Sequence, residues 1–195
     1  MYNTVIIQIL PDNKTGKGKR RFIMKNILFI ASEGVPFIKT GGLADVVGSL
    51  PKCIDREYYD VRVMIPKYSC MSDKMKEKLS YRAHFYMDFH WKDEYVGILE
   101  SEVDGVKYYF IDNEGYFTGV KPYTDNALFE IEKYAYFSKA CLSALPVLGF
   151  RPDLIHCHDW QTGLVPVYLH ERFQGNEFFR GIKTVMTIHN LKFQG

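Results

Sequence analysis

The residues from Lys25 to Ser32 (KNILFIAS) form a nearly continuous apolar run of strand length. A strand that is apolar on both faces belongs in the interior of a parallel sheet, because other elements must cover each of its faces. Parallel strands also need long crossover connections, which are usually helices. This run therefore predicts an α/β fold in which it forms the first, buried strand.

Helix and strand patterns alternate along the rest of the chain. Apolar residues recur at helical spacing from Leu43 to Ile54, which predicts an amphipathic helix with a kink or an early end at Pro51. Further strands are predicted over Asp60–Pro66, Asp153–His158 and Lys183–Ile188, and further helices over Ser72–Lys78, Asn126–Leu148 and Gly163–Phe173. The alternation indicates a Rossmann-like parallel sheet with right-handed crossovers and helices on both faces.

Two of these helices carry cap signals. Gly149 follows the long Asn126–Leu148 helix and is a plausible C-cap, and Thr162 is the candidate N-cap of the Gly163–Phe173 helix. The predicted apolar face of the long helix consists of Leu128, Ile131, Ala135, Leu142 and Leu145.

A different pattern occupies the middle of the chain. Tyr81 to Trp91 alternates apolar and polar residues, with Tyr81 and Trp91 on the apolar side, as a half-buried strand does. Ile98–Val103 and Val106–Ile111 flank Asp104-Gly105, which is a strong hairpin signal. We therefore expect an antiparallel insertion at one edge of the parallel sheet.

The charge distribution separates residues 1–23 from the rest. The chain has 25 Lys and Arg against 23 Asp and Glu, but residues 1–23 hold five of the basic residues and only one acidic residue. We predict a disordered basic arm over 1–23 and one Rossmann-like domain over 24–195. Because 24–195 is then slightly acidic, a nucleic-acid partner is disfavoured.

Neither a membrane span nor a secreted protein is predicted. No apolar run approaches the roughly 20 residues that a spanning helix needs, and the order of charged and apolar residues at the N-terminus does not fit a signal peptide. The four cysteines are scattered, which fits reduced thiols in the cytoplasm. Gly195 directly follows a predicted strand, from which we expect a truncated domain that lacks a partner domain.

Polar groups follow three of the predicted strands. These are Lys39-Thr40-Gly41-Gly42, His158-Asp159-Trp160 and His189-Asn190. All three lie at C-terminal strand ends, and ligands of open α/β sheets bind at that edge, near the point where the strand order reverses. Their convergence predicts a ligand site.

The glycine pair suits a phosphate. Gly41 and Gly42 let a ligand approach the backbone and open a helix whose free N–H groups attract an anion, and Lys39 adds a full charge. A flexible turn with a solvated lysine explains the same residues. The sequence contains no Walker motif and no GxGxxG fingerprint, which disfavours NAD.

His156, His158 and Asp159 allow a metal or a sugar interpretation. Alternate histidines on a strand share one face, and imidazole and carboxylate groups ligate zinc. No further ligand stands at a recognisable spacing, whereas the same groups can hydrogen-bond sugar hydroxyls. We therefore favour the sugar and predict no metal site.

Three segments resemble one known family. Ser32–Lys52 (SEGVPFIKTGGLADVVGSLPK) is similar to the N-terminal signature of bacterial and plastid glycogen and starch synthases, and His156–Leu164 (HCHDWQTGL) and Thr187–Gly195 (TIHNLKFQG) look like two further motifs of that family. The resemblance covers about Met24 to Gly195. It implies the N-terminal half of a GT-B fold, in which two Rossmann-like domains face each other across a cleft.

The resemblance also implies an activity. Family members transfer glucose from ADP-glucose to the end of an α-1,4-glucan such as glycogen, with retention of configuration and without a metal or other cofactor. The partner domain, which is absent from this sequence, would bind most of the ADP. A related enzyme with another nucleotide sugar, or an inactive fragment that binds donor or glucan, stays open as an alternative.

Residue roles follow from the same resemblance. Lys39 would contact the donor phosphate or nearby glucan within the substrate-binding run Lys39-Thr40-Gly41-Gly42, in which Gly42 offers its backbone N–H to the diphosphate. Asp159 would hydrogen-bond the transferred glucose. His189 would stabilise the oxocarbenium-like transition state, with Asn190 in support, so that the implied catalytic residues are Lys39, Asp159 and His189.

Overall fold

A seven-stranded sheet organises residues 24–190, the part of the chain that the computed structural model describes. The predicted basic arm, residues 1–23, and the last residues of the third motif, 191–195, lie outside the described residues. The strands are β1 (Lys25–Ile30), β2 (Tyr59–Pro66), β3 (Ser80–Phe89), β4 (Lys92–Val103), β5 (Val106–Asp112), β6 (Leu154–His158) and β7 (Lys183–Thr187).

The strand order is β3-β4-β5-β2-β1-β6-β7. The five strands from β5 to β7 in this order are parallel, and β3 and β4 extend one edge as antiparallel strands. The helices are α1 (Gly42–Cys53), α2 (Asp73–Lys76), α3 (Glu114–Phe117), α4 (Ala127–Leu148) and α5 (Leu164–Tyr168). This arrangement confirms the predicted α/β class with an antiparallel edge insertion.

Strand β1 lies at the centre of the parallel part, between β2 and β6. Leu28, Phe29 and Ile30 are buried, as the apolar run predicted. The chain leaves β1 toward β2 on one side and leaves β6 toward β7 on the other, so the right-handed crossovers place α1 on one face and α5, packed against α4, on the opposite face. The loops after β1 and β6 therefore diverge and open a crevice at the C-terminal ends of these strands.

The edge insertion is a pair of hairpins. Asp104 and Gly105 have φ of 52° and 75°, the left-handed values of a type I′ turn, which confirms the predicted Asp-Gly hairpin. The β3–β4 turn at His90-Trp91 has the same sign of φ but no glycine, and it was not predicted, because Tyr81 to Trp91 was expected to form one strand. Trp91 projects from this turn, so its predicted place on the buried side of a strand is wrong, and Tyr81 is 63% exposed where the β3–β4 register shifts.

Helix α1 passes through its proline. Pro51 is buried and the helix continues for two residues to Cys53, with Ile54 as its C-cap, so the predicted early end at Pro51 is wrong. Gly48 packs this helix onto the loop after β1, because a β-carbon there would lie 2.2 Å from Cγ2 of Val35. The close contact fixes the distance between α1 and the loop.

Helix α4 has the predicted ends but a different buried face. The Asn126 side chain accepts a hydrogen bond from the Phe129 N–H, and Gly149 ends the helix with φ of 61°. Leu128 and Ile131, which were predicted to face the core, are exposed. Charged side chains that pair with each other occupy the buried side of these first turns instead.

The predicted N-cap at Thr162 is wrong. Thr162 lies inside a 3-10 turn, Trp160–Thr162, that precedes α5, and its hydroxyl donates to the His158 carbonyl at 2.9 Å instead of accepting from a backbone N–H. A π turn, Leu169–Phe173, continues α5 to the predicted end of the helix. Among residues 24–190, no helix combines the length and apolar character needed to cross a bilayer.

A buried ion pair attaches the loop before α4 to that helix. The Lys133 ammonium donates to Glu130 Oε1 at 2.5 Å and to the Pro122 carbonyl at 2.7 Å. Glu130 Oε1 also accepts from the Thr124 backbone N–H at 2.9 Å and from its hydroxyl at 3.0 Å. Both charges are buried, and the segment between Pro122 and Thr124, including Tyr123, is held in place.

Replacing Glu130 by Ala should destabilise the chain by about 3–5 kcal/mol, because it leaves the buried Lys133 ammonium without its counterion. Urea unfolding followed by circular dichroism measures the change. The matched control is Glu177→Ala, which breaks an exposed pair with Arg180 and should cost no more than about 0.5 kcal/mol. Equal losses of the free energy of unfolding in the two variants would show that the buried ion pair stabilises the fold no more than an exposed pair does.

Candidate functional site

The loop between β1 and α1 is held by a buried carboxylate. Glu33 Oε2 accepts hydrogen bonds from the Thr40 backbone N–H at 2.5 Å and from the Thr40 hydroxyl at 2.7 Å. These bonds close the loop on itself and fix the start of α1 at the rim of the crevice. Glu33 stands inside the first motif, but no role was predicted for it, because its contact with Thr40 exists only in the folded loop.

The glycine pair begins α1. Gly41 is the N-cap residue, with an extended backbone (φ −149°, ψ −165°) and no side-chain cap, and Gly42 is the first residue of the helix. Neither residue has a positive φ, and a β-carbon on Gly42 would meet no atom within 4 Å among the described residues. The protein itself therefore does not require a glycine at position 42, and the first turn of α1 is open to a ligand.

Lys39 lies next to this helix start. Its ammonium contacts both carboxylate oxygens of Asp45, at 2.7 and 2.8 Å, and both side chains are about half exposed. Asp45 belongs to the first turn of α1. The lysine is thus held near the open N–H groups of the helix while it stays accessible to an anion.

Tyr123 closes one side of the crevice. Its hydroxyl is 2.8 Å from Ser32 Oγ, at the end of β1. Burial raises the pKa of the Tyr123 hydroxyl, and the charges of Glu33 and Asp159 raise it further, so that the group stays protonated. Sequence reasoning missed Tyr123, because it lies in an irregular segment far from Ser32 along the chain.

Asp159 joins the loops after β6 and β7. Its Oδ1 accepts a hydrogen bond from the His189 backbone N–H at 2.7 Å, and its own N–H donates to the Thr187 carbonyl at 2.9 Å. The residue has φ of 57° and ψ of 176°, a conformation that is nearly restricted to glycine and costs of order 1–3 kcal/mol. The backbone strain is retained at the point where the carboxylate meets His189.

Three histidines form a row beneath this contact. His156 Nε2 lies 2.7 Å from the Thr187 hydroxyl, the rings of His156 and His158 stack at 4.2 Å, and His158 Nδ1 lies 2.9 Å from His189 Nε2. Burial lowers the pKa of His156 to about 4, with a smaller contribution from His189. Burial and the two neighbouring histidines also lower the pKa of His158, so both buried rings are neutral at pH 7.

The metal interpretation finds no support in the geometry of the described residues. Within residues 24–190, no three His, Cys, Asp and Glu side chains are grouped so that they could hold a metal ion. His156 and His158 are instead engaged with Thr187 and His189. His158 is fully buried, so its ring does not reach a sugar in the crevice, whereas His156 is half-buried and its predicted hydrogen bond to a sugar stays a prediction.

The structure brings the predicted residues to one edge of the sheet. Asp159 and His189 are in direct contact, and Asn190 follows His189 at the end of the described residues. Thr40, Gly41 and Gly42 lie at the start of α1, and Lys39 lies beside them through its ion pair with Asp45. The two groups belong to the loops after β1, β6 and β7, which flank the crevice where the strand order reverses.

Acidification should destabilise the fold through His156. Its folded pKa of about 4 lies below the unfolded value of 6.5, so the unfolded chain binds a proton that the folded chain excludes. The stabilisation is complete above about pH 6.5 and is lost as the pH falls toward 4. Urea unfolding should show a loss of roughly 2 kcal/mol from this group between pH 7 and pH 5.

His156→Gln should reduce that pH dependence by this amount, because glutamine does not titrate. His170→Gln, which removes an exposed histidine, should leave the pH dependence as it is. If the free energy of unfolding of the His156 variant depends on pH as steeply as that of the unmodified chain, His156 is not the source of the pH dependence.

Comparison with known proteins identifies relatives for nearly all of the described chain. Residues 26–195 match the family model of the starch synthase catalytic domain. The chain is 66% identical over 172 residues to a glycogen synthase of Lachnospira eligens and 64% identical over 172 residues to one of Lachnoclostridium phytofermentans. Each alignment covers 88% of this chain and 36% of the relative, so the chain spans about a third of the length of these curated relatives.

A solved structure shares the fold. The catalytic domain of starch synthase IV from Arabidopsis thaliana, bound to ADP and acarbose, superposes with a TM-score of 0.78 at 29% identity. The match covers 88% of this chain and 35% of that one, and it supports the predicted Rossmann-like unit of a GT-B enzyme. The family model and the sequence relatives agree with this structural match, and the chain belongs to the starch synthase catalytic domain family.

Proposed function

We propose that this chain supplies the N-terminal catalytic part of a glycogen synthase, which transfers glucose from ADP-glucose to the non-reducing end of an α-1,4-glucan with retention of configuration. The observation that carries the proposal is the placement of Lys39, the start of α1, Asp159 and His189 at one crevice of a chain whose relatives at 64–66% identity are glycogen synthases. The related Arabidopsis structure holds ADP, which is the leaving group of such a donor.

The donor diphosphate would bind at the start of α1. The unpaired N–H groups of the first helical turn and the positive end of the helix dipole attract an anion, and Gly42 leaves the space in front of them open. The Lys39 ammonium is close enough to this turn to pair with Asp45. Donor binding would therefore move Lys39 from an exposed carboxylate to the phosphate, at little cost, since exposed pairs are weak.

The transferred glucose would lie against Asp159 and His189. One carboxylate oxygen of Asp159 is used by the His189 N–H, which leaves the other to accept from a sugar hydroxyl. The His189 carbonyl and imidazole would face the anomeric carbon, where positive charge develops in an oxocarbenium-like transition state. Dipoles fixed in advance stabilise such a charge without reorganisation, and the strained but doubly anchored Asp159 loop provides that rigidity.

No resident metal or cofactor is included in this proposal, and the donor is a substrate. The reaction would take place in the cytoplasm, in keeping with four cysteines that are all free. Neither nucleic acid nor membrane would be a partner.

The chain covers about a third of its relatives, so we propose that the 195-residue chain alone binds donor or glucan without transferring glucose.

A chimaera tests the proposal. Residues 24–195 replace the matched segment of the Lachnospira eligens glycogen synthase, and ADP release and glucan elongation are measured with ADP-glucose and with UDP-glucose. We expect transfer with ADP-glucose as the preferred donor. Preference for UDP-glucose would favour the alternative of a different nucleotide sugar. Transfer by the 195-residue chain alone would contradict the proposal that this chain binds donor or glucan without transferring glucose.

Lys39→Ala in the chimaera should lower kcat/KM for ADP-glucose by about 10- to 100-fold, because a charged hydrogen bond to the diphosphate is lost. Lys183→Ala is the matched control, since it removes an exposed lysine at the start of β7, at the opposite end of the strand from the crevice. Normal transfer by the Lys39 variant would show that Lys39 does not take part in donor binding.

Gly42→Ala separates ligand contact from folding. The added methyl group meets no described atom, so the free energy of unfolding should stay the same or rise by up to about 1 kcal/mol. The KM for ADP-glucose should rise about tenfold, because the methyl group would stand where the diphosphate approaches the helix. An unchanged KM would show that the donor does not reach the first turn of α1.

A further inference from the structure

His158 is a buried titratable side chain that the proposed transfer does not use. It is fully buried, at the end of β6, with one ring edge toward His189 and the Phe29 ring 5.4 Å away in a nearly parallel plane. Phe29 and the His156 ring therefore pack against His158 and fix its orientation. Within residues 24–190, the His158 ring forms its hydrogen bond with His189.

The contact between His158 and His189 is a hydrogen bond in the plane of both rings. The two nitrogens are 2.9 Å apart, the ring centroids are 5.2 Å apart, and the planes differ by 11°. Rings that meet edge to edge in this way share a single proton between their facing nitrogens. With both rings neutral, one nitrogen donates and the other accepts.

Burial decides which nitrogen carries the proton. The second nitrogen of His158, Nε2, is buried and has no hydrogen-bond partner among the described residues. A buried N–H without an acceptor is costly and rare, whereas a bare acceptor nitrogen is tolerated more readily. The proton of His158 therefore resides on Nδ1 and is donated to Nε2 of His189.

We propose that His158 is a positioning residue that fixes His189 in the tautomer protonated at Nδ1, so that a hydrogen-bond donor points to an oxygen of the bound sugar. The tautomer itself follows from the geometry, and its use in transfer rests on the proposed function. Because His189 Nε2 is already occupied as an acceptor, a neutral His189 can carry its proton only at Nδ1. Its backbone N–H is held by Asp159, so the residue is anchored at two points.

The burial that orients His158 also keeps it neutral. Desolvation lowers the pKa of His158, and the neighbouring His156 and His189 lower it further. A second proton on His158 is thereby disfavoured, and the direction of the hydrogen bond does not reverse at pH 7. His158 thus holds its Nδ1 proton toward His189 Nε2 without contacting the substrate.

The first test is spectroscopic and uses the full 195-residue chain. Long-range 1H–15N correlation spectra of the histidine rings distinguish protonation at Nδ1 from protonation at Nε2. We expect His189 at pH 7.5 to be protonated at Nδ1 and His158 likewise. Protonation of His189 at Nε2 overturns the proposal at once, whatever the activity of the enzyme.

Variants then test the dependence on His158. His158→Leu should shift His189 toward the Nε2 tautomer, whereas His158→Asn, whose amide can stand in for the Nδ1 donor, should retain the Nδ1 tautomer. His170→Asn is the control, since it removes an exposed histidine that pairs with Glu171, and it should leave the His189 tautomer unchanged. If His158→Leu does not fold, the His189 tautomer is measured in His158→Asn alone. A change to the Nε2 tautomer in that variant, in which the amide donor is present, would contradict the proposal.

Kinetics in the chimaera complete the test. His158→Leu should lower kcat by about 10- to 100-fold with little change in KM for ADP-glucose, and His158→Asn should recover most of the loss. A purely structural role would instead lower the amount of folded enzyme and leave kcat per folded molecule unchanged, which overturns the proposal. An inactive chimaera with an intact His158 would contradict the proposed function and leave the tautomer result standing.

Discussion

The rest of the structure depends on the burial of β1 between two parallel neighbours. Leu28 to Ile30 are covered on both faces, so the strand cannot slide or tilt without exposing apolar surface. The strand order reverses between β1 and β6, and the crevice opens where the loops after these two strands part. The position of the candidate site is thus a consequence of core packing and chain direction together.

Local polar contacts convert that crevice into a defined surface. Glu33 holds Thr40, Asp159 holds His189, and the Lys133–Glu130 pair holds the segment that brings Tyr123 to Ser32. The first contact closes a loop on itself, and the other two join a loop to a neighbouring loop or helix. The loops of the crevice are therefore rigid before any ligand arrives, which is the property that electrostatic stabilisation of a transition state requires.

The sequence predicted those features that depend on local pattern. The buried β1, the Asp104-Gly105 turn and the Gly149 cap follow from apolar runs and from residues that accept positive φ, and all are present. The convergence of Lys39, Asp159 and His189 followed from strand ends alone, because parallel strands bring their carboxyl ends to one edge. This much required no tertiary information.

The features that were missed depend on contacts that exist only in the folded chain. Glu33, Tyr123 and His158 gain their roles only from contacts formed on folding, and Thr162 was misassigned because its hydroxyl found a carbonyl instead of an N–H. Leu128 and Ile131 were predicted to face the core because their spacing is helical, whereas the Lys133–Glu130 ion pair, bonded to Pro122 and Thr124, occupies the buried side of α4.

The backbone of Asp159 shows what the site demands of the chain. A glycine at this position would relieve the positive φ and, by that measure alone, would make the fold more stable. It would also remove the carboxylate that anchors His189. Under the proposed function, a glycine at position 159 would relieve backbone strain but remove a group that the transfer uses, so this position sets stability against activity.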